Sequence, residues 1–130
     1  MVGLLHDLDI DETRHNRSQH GVTTARMLQG RLPEHCLYAI RAHDFRTGCK
    51  PRNRLDKALR AVDSLSHILV KEISAPLGMV NAPRVSAELK RISLRRPWHK
   101  TNILKCMEIG LSLHEFLETC LDAYKEQADL

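Results

Sequence analysis

Aromatic residues supply only 4% of the 130-residue chain, and clusters of β-branched residues are few. With Leu, Ala, Arg, Glu and Lys abundant instead, the composition favours helix over sheet. No uninterrupted apolar run comes near the length that crosses a bilayer, which sets membrane insertion aside. The four cysteines, at positions 36, 49, 106 and 120, include no Cys-x-x-Cys pair, and no secretory leader precedes them. They read as reduced thiols in a cytoplasmic protein. Internal repeats and low-complexity tracts are absent as well. What is there is a globular composition, 42% hydrophobic and 28% charged, of a length suited to one domain over 1–130. A net charge of +4 and a pI near 9.0 point to anionic partners such as phosphates. Eight histidines are many for this length.

Helical spacing organises most of the chain. Residues 2–7 read as the last turns of a helix, and Asp9 to Gln19 as a polar loop leading to a helix start near Asn16 or Ser18. That helix is expected to end near Gly30, with His20, Thr24, Met27 and Leu28 on one face. Pro33 and Glu34 open another helix, whose stripe of Cys36, Leu37, Ile40 and His43 faces inward. Phe45 to Asn53 reads as a basic loop. The best-defined helix runs from about Arg54 to Lys71, with a stripe of Leu55, Leu59, Val62, Leu65, Ser66 and Leu69. Asp63 borders that stripe, and an acid there needs a partner. Ala75 to Pro83 reads as a loop, Arg84 to Leu94 as a short basic helix, Arg95 to Lys100 as an exposed basic break, and Thr101 to Ile109 as a helix closed by Gly110. Ser112 and Glu115 form a capping box for a final amphipathic helix, with Leu113, Phe116, Leu117, Cys120, Leu121, Tyr124 and Ala128 on its buried face.

Metal-competent side chains recur at inward or border positions of these segments: His6 with Asp7, then His20, His43 and Asp63. An imidazole and a carboxylate at the edge of a core are costly to bury alone, and a metal ion would satisfy both. Taken singly, His20 or His43 reads as a core histidine bonded to backbone. In order and spacing, GLLHDLD (3–9), QHGVTTARML (19–28), LYAIRAHD (37–44) and LDKALRAVDSLSHIL (55–69) resemble the HD-domain superfamily. IGLSLHEFLETCLDAYKEQADL (109–130) is similar to the C-terminal end of its hydrolase members. The resemblance covers nearly the whole chain, and it is their matched positions that favour a metal role for the two histidines.

The resemblance implies an all-α, HD-domain-like helical bundle holding one or two divalent metal ions, with Mn, Fe, Zn, Ni, Co and Mg not distinguished. His6, Asp7, His20, His43 and Asp63 are the implied ligands. Asp7 and Asp63 are the implied catalytic carboxylates, Asp7 being able to bridge two metals. The implied activity is hydrolysis of a phosphate ester of a nucleotide or related small molecule by metal-activated water. The alternative is a catalytically degenerate HD domain that binds nucleotide or metal, or serves as a regulatory interaction module. The family pattern carries a further metal-binding histidine on a helix well ahead of the His-Asp pair, which here would fall before Met1. The resemblance therefore implies a chain without the family's N-terminal helices: a fragment, a chain completed by a partner, or a site one ligand short. Apolar surface left uncovered in this way leads us to expect homo-oligomerisation.

Between His43 and Asp63, Lys57 and Arg46 are the expected contacts to substrate phosphate. Lys57 is preferred because it lies in the LDKAL segment. Asp9 and Asp11 read as loop acids, His67 as a surface or helix-terminal histidine, and His15, His35, His99 and His114 as surface residues. The run from Lys90 to Lys100, which includes Trp98, reads as an exposed basic segment, with stacking and neutralisation of single-stranded nucleic acid the disfavoured alternative.

Overall fold

A computed structural model describes residues 1–128 of the chain. It holds seven α-helices joined by short helical turns, and no strand occurs among the described residues. The all-α expectation from composition is met. The chain divides into two compact units, Met1–Arg60 and Ala61–Leu130.

The first unit comprises α1 (Val2–Leu5), α2 (Val22–Met27), α3 (Glu34–Ala42) and the start of α4 (Arg54–His67). Its apolar core is thin: Ala25, Leu28, Leu37 and Ile40, with Val2, Leu5 and Leu32 packed against them. Asp9, Thr13, His20, Thr24, His43, Asp44, Asp56 and Arg60 are also buried in this unit. Such groups are tolerated inside only when bonded, and here a connected polar interior holds the elements together.

The start of α2 differs from expectation. In place of a helix beginning near Asn16 or Ser18, a 3-10 turn spans Arg17–Gln19, His20 is extended, and Gly21 takes φ +80° before α2 begins at Val22. No neighbouring side chain caps the helix. The cap comes from Asp9, whose Oδ2 accepts the N–H groups of Gly21 and Thr24, each at 2.8 Å. The helix starts where that remote carboxylate can reach its orphan donors. Met27, expected on the inward face, sits exposed in the last turn.

α4 is entered through a reciprocal cap. Asn53 Oδ1 accepts the Asp56 N–H at 3.0 Å, while Asp56 Oδ2 accepts the N–H of Asn53 at 3.2 Å and of Arg52 at 2.8 Å. The buried positions of this helix include Asp56, Leu59, Arg60, Ser64 and Leu65, and Val62 and Ser66 are exposed instead of buried. Counting apolar residues alone misplaced the stripe, because three of the buried positions are polar. Arg60 donates through Nε to the Ala42 carbonyl at 2.8 Å and through Nη2 to the Cys49 carbonyl at 3.0 Å. It thereby ties the C-terminus of α3 to the basic loop. Burial lowers the pKa of this guanidinium.

The second unit holds the rest of α4, a π-helical turn (Ile68–Glu72), α5 (Ala82–Ser93), α6 (Pro97–Ile103), a 3-10 turn (Leu104–Ile109) and α7 (Leu113–Ala128). Its core is apolar and larger, built on Leu65, Ile68, Val85, Leu89, Ile92, Ile103, Phe116, Leu117 and Leu121. α5 begins two residues earlier than expected, because Asn81 Oδ1 caps the Arg84 N–H at 3.0 Å. α6 likewise begins at Pro97, which supplies a fitting first-turn residue. The Ser112–Glu115 box is formed, with the Glu115 N–H donating to Ser112 Oγ at 3.2 Å and the Ser112 N–H to Glu115 Oε2 at 2.8 Å. Tyr124 on the α7 face is 37% exposed, and the Ala128 side chain lies outside the described residues. No described helix is long and apolar enough to cross a membrane, and all four cysteines are free thiols.

His99, expected at the surface, is buried. Its ring stacks on His67 with centroids 4.7 Å apart, and its Nδ1 has no hydrogen-bond partner. Burial lowers its pKa first of all, the charges of His67 and Arg96 add to that, and Asp63 and Glu72 oppose it without prevailing. A histidine whose folded pKa lies below its unfolded value contributes stability above the ordinary histidine pKa, and that contribution is lost as pH falls. Lowering pH from about 7 to about 5 therefore draws a loss of thermal midpoint from His99. His99→Gln, which cannot titrate, should lose less midpoint over that interval than the unchanged protein; an equal change in both would rule out a contribution from His99.

Candidate metal centre

Four of the residues expected to bind metal come together in the first unit. His6 caps the C-terminal end of α1, the next residue is Asp7, His20 lies in the extended step before α2, and His43 follows the last turn of α3. Each ring is fixed through its Nδ1. His6 donates to the Gly3 carbonyl at 2.7 Å and His43 to the Ile40 carbonyl at 2.6 Å. His20 donates to Asp9 Oδ1 at 2.7 Å. Carbonyl and carboxylate oxygens can only accept here, so every Nδ1 carries the proton and every Nε2 presents a lone pair in the neutral ring.

Those lone pairs meet. Nε2 of His6, His20 and His43 lies 3.3, 3.0 and 3.6 Å from Asp7 Oδ1, and Nε2 of His20 and His43 are 3.2 Å apart. The ligand atoms of His6, Asp7 and His43 all lie within 4.8 Å of one another. Asp7 Oδ1 is buried without a properly aligned hydrogen bond. An acceptor oxygen facing three acceptor nitrogens is electrostatically unfavourable unless a cation stands among them. The donor set and its outer partners fit a divalent transition metal: imidazoles with the far nitrogen bonded to carbonyl or carboxylate, plus one carboxylate. The rings are nearly shut off from solvent at 15%, 5% and 2% exposure, whereas the Asp7 side chain is 46% exposed. Solvent reaches the cluster on the Asp7 side.

The electrostatics carry the same pattern. Burial pushes the Asp7 carboxyl up, but contacts from His20 and His43 and the nearby His6 outweigh it and hold the group well below the usual carboxylate range. Burial likewise opposes a charge on His20, and the contacts to Asp7 and Asp9 overcome it, so its pKa is raised. The contacts that raise the His20 pKa thus favour positive charge beside Asp7 and Asp9, the place a bound metal ion would take.

Asp63 is in the second unit, half-buried, where it bears on the ionisation of His99. Arg46 commits Nε and one terminal nitrogen to a forked pair with Asp44 at 2.6–3.0 Å. Asp44 also caps the turn Phe45–Thr47. Burial raises the Asp44 pKa, and Arg46 overrides it to bring the group below the usual range. Lys57 is half-buried on α4.

Two residues important to the geometry were not foreseen. Asp9, read as a loop acid, is fully buried and is the hub of this region. It orients His20, caps α2, and takes a hydrogen bond from Thr13 Oγ1 on its own carbonyl at 2.8 Å. Gly21 is pressed against α3: a Cβ there would lie 2.5 Å from the Ile40 carbonyl oxygen and 3.0 Å from the His43 ring. The His20-Gly21 step was the local signal for Gly21, and nothing local marked Asp9.

No protein-family model, curated protein or solved structure matches this chain.

Proposed function

We propose that His6, Asp7, His20 and His43 bind a divalent transition-metal ion and that the protein is a metal-dependent phosphohydrolase acting on a phosphate ester of a nucleotide or related small molecule. The convergence of three Nε2 atoms on the buried Asp7 Oδ1, with every Nδ1 already bonded outward, carries this reading. A bound metal would polarise a phosphoryl oxygen and lower the pKa of a water at the site. The chain's own residues supply the rest. Asp7 stays ionised and keeps its exposed side toward solvent. Asp9 holds His20 in one orientation and tautomer, and the two backbone carbonyls do the same for His6 and His43. The resemblance to HD hydrolases supports the reaction class, with Asp63 as the closing carboxylate that it implies.

Elemental analysis of protein purified without chelator, and of apoprotein reconstituted with Mn, Fe or Zn, tests the metal; phosphate release from nucleoside monophosphates tests the reaction. Near-stoichiometric metal is expected, lost in Asp7→Ala. Asp63→Ala in the same assays tests the role implied for Asp63. Because His20 must give up its proton to coordinate, affinity should be weaker at pH about 5.5 than at about 7.5. Metal without turnover would favour the binding or regulatory module, and no metal under any loading condition would end the catalytic reading.

A further inference from the structure

The segment 84–100 carries six Lys or Arg residues and one acid, Glu88. A run of this kind is usually a solvated surface with mobile side chains. Here it is held. Arg91, Arg95 and Arg96 converge on a single carboxylate, Glu72, at 3.7, 4.0 and 2.7 Å. Glu72 is 13% exposed, while the three arginine side chains remain 54%, 64% and 44% exposed. Glu72 thus hydrogen-bonds Arg96 and draws Arg91 and Arg95 in at ion-pair range, one negative charge gathering three guanidinium groups without neutralising them. Arg91 also pairs with Glu88, and Arg84 and Arg95 bear on the same acid along the α5 face. The cations do not follow from a basic unit, since Ala61–Leu130 carries nine Lys or Arg and nine Asp or Glu. They are segregated on α5 and the turn after it.

Two residues beyond Arg96 stands Trp98, the only tryptophan of the chain. Its ring is set against buried His99 with centroids 5.7 Å apart, and the residue is 39% exposed. A preorganised cluster of cations beside a supported, partly open aromatic ring matches a single strand, whose phosphates pair with the arginines while a base stacks on the ring. A lipid headgroup layer or an acidic protein helix also accommodates an indole, but a single strand alone offers phosphates alternating with flat bases to match cations set beside a ring.

We propose that the surface formed by Arg91, Arg95, Arg96 and Trp98 binds single-stranded nucleic acid. This does not depend on the metal centre. The test titrates the full chain with a single-stranded oligo-dT and an oligo-U of about 12 nucleotides. Because Trp98 is the sole tryptophan, its fluorescence reports on this surface alone. Saturable quenching is expected, with affinity dropping roughly tenfold or more between about 50 and 200 mM salt. Arg91→Gln/Arg95→Gln should flatten the log–log salt slope by about 1.4. Trp98→Ala, followed by anisotropy of a labelled strand, should weaken binding about tenfold. All four wild-type side chains are solvent-accessible, so helical circular dichroism should not change. Absence of quenching, or affinity and salt slope unchanged in both variants, would overturn the proposal. So would binding to phosphatidylserine vesicles in preference to the oligonucleotides, or a salt-sensitive dimer formed without any effect of nucleic acid.

Discussion

Asp9→Ala is expected to cost about 3–5 kcal/mol of stability, the usual consequence of removing one partner from a buried charged network. The carboxylate has no solvent exposure and satisfies three donors at once: His20 Nδ1 and the N–H groups of Gly21 and Thr24. Alanine leaves all three buried and unpaired, each a penalty of about 1–3 kcal/mol before relaxation. A loss of that size is a large share of what a small domain has. Asp9→Asn separates cap from orientation. It keeps the shape but turns one acceptor oxygen into a donor that faces an N–H, so the variant should fold less stably and hold His20 less firmly. A metal affinity lower by about 10- to 100-fold is expected, as for other outer partners of ligating histidines. Denaturant melts and metal titration read the two effects independently. If Asp9→Asn binds metal like the unchanged protein, His20 is not a ligand or does not need Asp9 to be one.

Gly21→Ala should be nearly as damaging, at about 2–5 kcal/mol, from an unfavourable positive φ and overpacking combined. The residue sits at φ +80°, and the added methyl would meet the Ile40 carbonyl oxygen at 2.5 Å, which is backbone and cannot swing aside. That same oxygen accepts the His43 Nδ1–H. Making room for the methyl therefore displaces the group that fixes the His43 tautomer, so metal affinity should fall along with the thermal midpoint. A Gly21→Ala protein that melts lower but binds metal unchanged would show that His43 does not depend on this contact.

Much of the helical frame was legible in the sequence. The Ser112–Glu115 box, the α3 stripe ending in His43 and the general course of α4 all rest on local spacing, and local spacing is what a sequence displays. The start of α2 was not legible, because its cap arrives from Asp9 through the fold. The inward face of α4 was displaced for a related reason. Asp56, Arg60 and Ser64 are buried, and an apolar count gives such residues no weight. At the candidate site, the set His6, Asp7, His20, His43 and Asp63 is what the resemblance of their segments to the HD-domain superfamily implies, and the structure brings the first four together. Asp9 and Gly21 escaped notice because their roles are contacts to distant backbone. His99 was placed at the surface because nothing local marks a histidine that stacks on another ring a helix away.

The contrast between the two interiors has a thermal consequence. Exposing apolar surface raises heat capacity, and exposing polar surface lowers it. The first unit, with few buried aliphatic side chains and many buried polar ones, unfolds with a smaller heat-capacity increment per residue than the second. Its free-energy curve against temperature is correspondingly flatter. Cooling, which weakens apolar burial, costs the second unit more than the first. The part of the chain that carries the histidine cluster is thus the part whose stability varies less with temperature.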